Sequence, residues 1–174
     1  MIAHGAPAFG QPLTLGDGAR QVGPLIGSHT VVLTAMNGVP WWFLNDFGGD
    51  LAGTQLQAVD ATGEIAAALP AAQVVGCVVH ASCSVAAPGV IRHHFGNGLI
   101  IGEPSGQQSQ RVQALAELLV RAGFAASVSA QIQKDVWYKL WGNMTVNPIS
   151  ALTGATTNLI LGDELVRNFV SSVM

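Results

Sequence analysis

Three polar side chains recur at intervals of four residues in the segment 135–152. They are Lys139, Asn143 and Asn147, and on an α-helix this spacing places them on one face, each about 6 Å further along the axis. The residues around them are mostly apolar or aromatic. A polar stripe in such a helix is costly unless its groups find partners or contact water and a ligand. The segment is therefore a candidate site for chemistry.

The residue types of this stripe suit one kind of reaction. When a hydride reduces a ketone, an alkoxide develops, and a lysine ammonium can supply both the proton and the positive charge that it needs. Asparagine amides offer donors and acceptors without charge, which suits them to orienting a hydroxyl or a carboxylate. A structural interpretation also stays open, in which Lys139 lies along the surface and the two asparagines cap the helix around Pro148.

The elements that must position these residues follow from the apolar pattern and the turn residues. Residues 1–27 are rich in Gly, Ala and Pro, and we expect little regular structure there before a short helix. Gly96-Asn97-Gly98 predicts a β-hairpin, and Pro148 is expected to break or kink its helix. The predicted strands are residues 30–36, 74–85, 90–95, 99–102 and 124–129. The predicted helices are residues 19–25, 62–69, 107–122, 131 onward and 158–173.

Strands and helices thus alternate up to about residue 130, and the remainder is helical. This order predicts an α/β domain over residues 1–130 that passes into a helical domain over residues 131–174. Only 10% of the residues are charged and the formal net charge is −3, which argues against a nucleic-acid partner and a polybasic membrane patch. No apolar run reaches the length of a membrane helix and no secretory leader is recognisable. We therefore expect a soluble, cytoplasmic protein.

Histidine and cysteine give weaker signals. His93 and His94 are adjacent, so on a strand they point to opposite faces, and no carboxylate completes a set with His80. We predict no metal site. Cys77 and Cys83 are six residues apart without a second cluster, which is typical of structural thiols. The pair Trp41-Trp42 could pack in the core or line a pocket.

The segment WYKLWGNMTVNPISALTG, residues 137–154, resembles the hallmark helix of the ketopantoate reductases. The resemblance implies that Lys139 is the catalytic general acid and that Asn143 and Asn147 bind substrate. Asn37-Gly38-Val39 is similar to the family's Asn-Gly loop, which implies that Asn37 touches both the nicotinamide cofactor and the substrate. Residues 80–82 and the segments after them resemble the following sheet, which implies that Ser82 lies beside the cofactor.

What the resemblance implies is NADPH-dependent reduction of 2-dehydropantoate (ketopantoate), or of a related 2-oxo acid, in pantothenate biosynthesis. It implies a partial Rossmann-like dinucleotide-binding domain, followed by the start of a helical substrate and dimerisation domain. The family's Gly-x-Gly-x-x-Gly turn is missing, because Gly16, Gly18 and Gly23 have neither its spacing nor a preceding strand. We therefore expect a central fragment of such an enzyme. The alternatives are a catalytically inactive truncated product and an interaction module that dimerises through its helices.

Overall fold

The computed structural model describes residues 15–174, in which four strands form one mixed sheet and helices cover it. The strands are β1 (Val32–Ala35), β2 (Val74–Ala87), β3 (Val90–Gly102) and β4 (Ala125–Val128). The helices are α1 (Leu15–Val22), α2 (Glu64–Ala68), α3 (Gln110–Arg121), α4 (Ile132–Thr153), α5 (Thr157–Gly162) and α6 (Glu164–Val173). The predicted order, α/β followed by α, is confirmed. The expected lack of structure in residues 1–14 lies outside the described residues.

The strands lie in the order β1-β2-β3-β4, with β1 parallel to β2, β2 antiparallel to β3, and β3 parallel to β4. The first five residues of β2 are all buried, as expected of a strand with covered faces. Successive side chains of a strand point to opposite faces, so β2 contributes to two cores. One core contains Trp42, Val74 and Ile132, and the other contains Val75 and Ile101 among others.

The pair of long strands differs from the predicted hairpin. Gly96-Asn97-Gly98 lies inside β3 and not in a turn, and the chain reverses instead at Pro88-Gly89, between β2 and β3. The hairpin prediction at Gly96 was wrong because a glycine with positive φ serves a β-bulge as well as a turn. Gly96 and Gly89 have the same φ, +77°.

Two predictions about the helical part also need correction. Of the two outcomes expected at Pro148, the break is wrong: helix α4 continues to Thr153, where Gly154 (φ +69°) ends it and donates its N–H to the Ser150 carbonyl at 2.8 Å. A proline removes one backbone donor, and the adjoining turns hold the helix together. The single helix predicted over residues 158–173 is two, because Asp163 caps α6 by accepting the Val166 N–H at 2.9 Å.

Within residues 15–174, no helix is both long and apolar enough to cross a membrane. The same part of the chain contains no cluster of three or more His, Cys, Asp or Glu side chains that could hold a metal ion. His94 bonds the Ser84 hydroxyl at 2.8 Å, whereas His93 donates from Nε2 to the Gly96 carbonyl at 2.6 Å. The two adjacent histidines thus have separate partners.

Candidate active site

Helix α4 starts in a notch formed by two glycines of the sheet. Gly76 of β2 and Gly102 of β3 are direct cross-strand partners. A Cβ added to Gly76 would lie 2.9 Å from Cγ1 of Ile132 and 2.6 Å from the Trp42 ring, and one added to Gly102 would lie 3.1 Å from Cβ of Ile132. Any larger residue would push the helix or the tryptophan away. The two glycines therefore fix where α4 begins.

The next residue of α4 strengthens this attachment. Gln133 is almost fully buried, and its Nε2 donates to the Pro104 carbonyl at 2.5 Å. Trp42, whose ring fills the other side of the notch, donates from Nε1 to the Thr34 hydroxyl at 3.2 Å. Buried polar groups that are satisfied in this way specify a single arrangement. The beginning of α4 is thus held by packing and by hydrogen bonds.

Lys139 lies two turns further along α4, and its ammonium donates to the carbonyl oxygen of Val79 in β2. Strand β1 ends at Ala35, opposite Cys77, so its ladder with β2 stops there. The Val75 carbonyl faces β1, because the Thr34 hydroxyl lies 3.4 Å from it, and Val79, four residues on, points its carbonyl to the same edge. Lys139 therefore supplies the donor that β1 no longer offers at this position.

The surroundings of Lys139 make its proton easier to release. Burial lowers the pKa of the Lys139 ammonium, and the neighbouring Cys77 opposes this only when its thiol is ionised. Burial raises the pKa of the Cys77 thiol to about 11, despite the opposing charge of Lys139. At neutral pH the thiol is thus uncharged and the burial of the ammonium dominates. The Lys139 ammonium is half-buried and its acceptor is a neutral carbonyl, which leaves it a stronger acid than a free lysine.

Asn143 and Asn147 follow Lys139 by one and two turns on the same face of α4. Asn143 is half-buried and Asn147 is exposed. Because α4 continues beyond Pro148, neither asparagine caps a helix end there. No other residue of the described chain hydrogen-bonds either side-chain amide, so both are available to a ligand.

Asn37 and Ser82 lie on the sheet side of the same region. Asn37 is exposed and follows the carboxyl end of β1 by two residues, next to Gly38 with a φ of +83°. Ser82 is half-buried and lies in β2, three residues after Val79. The carboxyl ends of parallel strands are where open α/β sheets bind ligands. The structure therefore places Asn37, Ser82 and Lys139 toward one edge of the sheet, without a hydrogen bond between any two of them.

Of the interpretations left open for the aromatic run, the core one is favoured, because Trp41, Trp42 and Phe43 are all buried. Other residues around the site were not predicted from the sequence. The Phe43 ring lies 6.2 Å from the indole of Trp137, two residues before Lys139. Gly76 could have been noticed, because a glycine within the β-branched run VVGCVV often marks the close approach of another element. The Val79 carbonyl has no signal in the sequence.

A second ionic group at the other end of the buried half of β2 was also missed. Glu103 accepts from Arg111 through Oε1 at 2.6 Å and Oε2 at 2.5 Å, and from the Ser109 hydroxyl at 2.5 Å. Arg111 also donates to the carbonyls of Ala72 at 2.6 Å and Val74 at 3.3 Å. Burial opposes ionisation of Glu103, but the bonds from Arg111 and Ser109 and the arginine charge lower its pKa on balance.

Comparison with known proteins identifies relatives of this arrangement. A family model described as "Ketopantoate reductase PanE/ApbA C terminal" matches residues 131–174. The curated 2-dehydropantoate 2-reductase of Mesorhizobium japonicum is 48% identical over 154 residues, which make up 88% of this chain and 47% of that protein.

Solved structures agree. The crystal structure of a candidate ketopantoate reductase from Ralstonia solanacearum MolK2 has 49% sequence identity and a TM-score of 0.86, and the match covers 97% of this chain and 55% of that one. A D-mandelate dehydrogenase solved with NADH shares the fold alone, at 16% identity over 94% of this chain and 48% of its own, with a TM-score of 0.73. The chain thus spans about half the length of the relatives that it matches.

Proposed function

Because the chain belongs to the ketopantoate reductase family, we propose that it takes part in the NADPH-dependent reduction of 2-dehydropantoate, or of a related 2-oxo acid, to the 2-hydroxy acid. The observation that carries this proposal is the half-buried ammonium of Lys139, which is held by a carbonyl of β2 and has a lowered pKa. Catalytic acids commonly owe such shifts to burial.

In the proposed mechanism, Lys139 acts on the substrate oxygen. A nicotinamide cofactor, when bound, would supply the hydride. The Lys139 ammonium would stabilise the charge that develops on the former ketone oxygen and transfer a proton to it. The Val79 carbonyl holds the lysine nitrogen in place before the reaction. Because that carbonyl is a neutral acceptor, it orients the ammonium without taking its proton.

Substrate orientation falls to the amides of the same helix. Asn143 and Asn147 lie beyond Lys139 along α4 and have free donors and acceptors, which suit the hydroxyl and carboxylate groups of a 2-oxo acid such as ketopantoate. Asn37 would contact substrate and cofactor from the end of β1. A bound substrate would thus lie between the end of the parallel strands and the polar stripe of α4.

The fit of the cofactor rests on Asn37 and Ser82. An exposed amide and a half-buried hydroxyl at the carboxyl edge of a parallel strand pair can hydrogen-bond a polar nicotinamide ring substituent. We assign cofactor contact to these two residues, and we assign cofactor binding to residues 1–130 and substrate binding to residues 131–174. The preference for NADPH over NADH follows from family membership alone.

Titration and turnover test the proposal. We expect NADPH to change the protein fluorescence, ketopantoate to drive oxidation of NADPH, and Lys139→Ala to lower kcat by about 10²- to 10³-fold. Lys134→Ala is the matched control, because Lys134 lies on the same helix and is exposed. Turnover by Lys139→Ala equal to that of the control would refute the assignment of the acid.

A second candidate is an interaction module that assembles through its helices without turnover. Its support is the apolar surface of the helical part, where large side chains such as Tyr138 (74% exposed), Leu165 (80%) and Phe169 (60%) face outward. Such surface is typical of an interface. We take this candidate to be a homodimer. It predicts that the mass measured by light scattering rises with protein concentration, and that the mass is lower in Phe169→Glu. A monomer at all concentrations would exclude it.

A further inference from the structure

We infer that Gly96 is a positioning residue for Lys139. The bulge that Gly96 forms in β3 sets the direction of the Val79 carbonyl, and that carbonyl holds the lysine ammonium. The inference rests on the proposed function for its catalytic consequence, whereas its structural content stands on contacts within the chain.

The register of β2 and β3 changes immediately after His80, one residue beyond Val79. Up to that point the two strands pair regularly, and Val79 lies opposite Leu99 and His80 opposite Gly98. The next pair is Ser82 with Phe95, so one residue of β2 and two residues of β3 lie between the two pairs. An extra residue of this kind bends a strand and increases its twist, and such bulges often lie beside active sites, where they redirect side chains.

Gly96 makes the bulge possible because its backbone lies against β2. A Cβ at this position would lie 2.4 Å from the carbonyl oxygen of His80, closer than real Cβ contacts, and 3.2 Å from Cα of Ala81, which is tight. Its φ of +77° also belongs to the left-handed region that glycine alone adopts readily. The bulge is tied at its other side, since the Asn97 amide donates to the Gly123 carbonyl at 2.9 Å.

The contact with His80 reaches Lys139 through one peptide unit. The Val79 carbonyl and the His80 N–H belong to the same planar group. The torsions of His80 join this planar group to the His80 carbonyl, so we expect a residue that pushes that carbonyl away to be accommodated in part by rotation of the Val79–His80 peptide. The carbonyl that accepts from Lys139 would then point elsewhere. Gly96 therefore controls the ammonium without touching it.

The chain offers a matched control for Gly96. Gly89 in the β2–β3 turn has the same φ of +77°, but a Cβ added there meets nothing within 4 Å. Alanine at either position carries the same backbone strain. Only Gly96→Ala adds the collision with β2, so a difference between the two variants reports on that collision alone.

The chain also contains an internal reference for Lys139. Its only two lysines are Lys134 and Lys139, both on α4, and Lys134 is exposed. Competitive acetylation followed by peptide mass spectrometry gives the reactivity of Lys139 relative to Lys134 across pH. In Gly96→Ala we expect this ratio to rise severalfold, since the amine is no longer held against β2, while Gly89→Ala keeps the wild-type ratio.

Turnover provides the second measurement. Misplacing a catalytic group by about 1 Å costs on the order of 100-fold in rate, so Gly96→Ala should lower kcat by about 10-fold or more and change the KM for NADPH little. A ratio and a kcat equal to those of Gly89→Ala would overturn the inference. If the wild-type chain shows no turnover but the acetylation ratio behaves as described, the proposed function fails and the positioning role stands.

A further variant covers the case in which Gly96→Ala does not fold. Asn97→Ala inserts no atom and removes only the bond to the Gly123 carbonyl, which loosens the bulge from outside. We expect a smaller rise in the Lys139 to Lys134 ratio than for Gly96→Ala, with the fold retained in circular dichroism. An unchanged ratio in this variant would contradict the inference.

Discussion

Strand β2 binds one cation at each end of its buried half, and the two sites differ in what faces the charge. Arg111 donates to the Val74 carbonyl, but its main partner is the carboxylate of Glu103. Lys139 donates to the Val79 carbonyl and has no carboxylate partner among the described residues. The pKa values of the two cations are therefore shifted in opposite directions. The pKa of Arg111 is raised by its hydrogen bonds to Glu103, whereas burial lowers the pKa of Lys139.

The comparison shows how one strand can hold a cation with a counterion at one end and a cation without one, with a lowered pKa, at the other. A charge with a counterion is locked in its ionised form and ties elements together, as Arg111 ties α3 to the start of β2. A charge without one is held less firmly to its proton, which costs stability and prepares the group for proton transfer.

Arg111→Ala gives the largest expected effect on this comparison. It leaves Glu103 buried without its cation, and breaking such a pair costs about 3 kcal/mol in the free energy of unfolding. Urea unfolding measures the loss, and Arg121→Ala, in the exposed last turn of the same helix, is the control. A loss below about 1 kcal/mol would show that the paired site contributes little to stability.

Thiol reactivity tests how dry the Lys139 site is, with a somewhat smaller effect. Burial raises the pKa of Cys77 to about 11 from 9.0, so its reactive thiolate at neutral pH is about 100-fold scarcer than in an ordinary cysteine. Cys83 is exposed and serves as the internal reference. We expect a disulfide reagent to titrate one thiol in the native protein and two in urea. Rapid reaction of both thiols would mean that water reaches Cys77 freely.

The smallest expected effect is that of Lys139→Met on stability. The folded-state pKa of Lys139 is lowered below its unfolded value, so the cost of burying the ammonium is fully present below the folded pKa. That cost disappears as pH rises toward the unfolded value. The methionine variant should therefore equal or exceed the wild type in stability at neutral pH by no more than about 1 kcal/mol, because the lysine is only half-buried. The difference should shrink as the pH approaches the ordinary lysine pKa of 10.5. Unfolding curves at neutral pH and near pH 10.5 measure it. A loss comparable to that of Arg111→Ala would make the two sites alike.

Side-chain periodicity was enough to predict part of this architecture. The four-residue spacing of Lys139, Asn143 and Asn147 predicted their shared face on α4, and the β-branched runs predicted β1 and β2. The roles of these residues stay predictions, since geometry alone does not test them. The Val79 acceptor was invisible because every residue carries the same carbonyl, and only the three-dimensional end of β1 leaves that one open.

The failures came from residues whose local preferences allow two outcomes. Gly96 fits a turn or a bulge, and the long pairing of β2 with β3 decided for the bulge. Pro148 disfavours a helix locally, yet the turns around it keep α4 continuous. Asp163 looks like an ordinary polar residue within a helix until its carboxylate caps α6. In each case, contacts distant in sequence selected between alternatives that are close in local energy.

Strand β2 is buried from Val74 to Val78 and largely open to solvent from His80 to Ala87, and Lys139 meets it at the residue between. The outer half of the strand is accessible to other molecules, whereas the inner half is fixed in the core. A molecule that binds the outer half of β2 and rotates the Val79–His80 peptide would alter the proton affinity of Lys139. By thermodynamic reciprocity, protonation of Lys139 would alter the affinity for that molecule by the same factor.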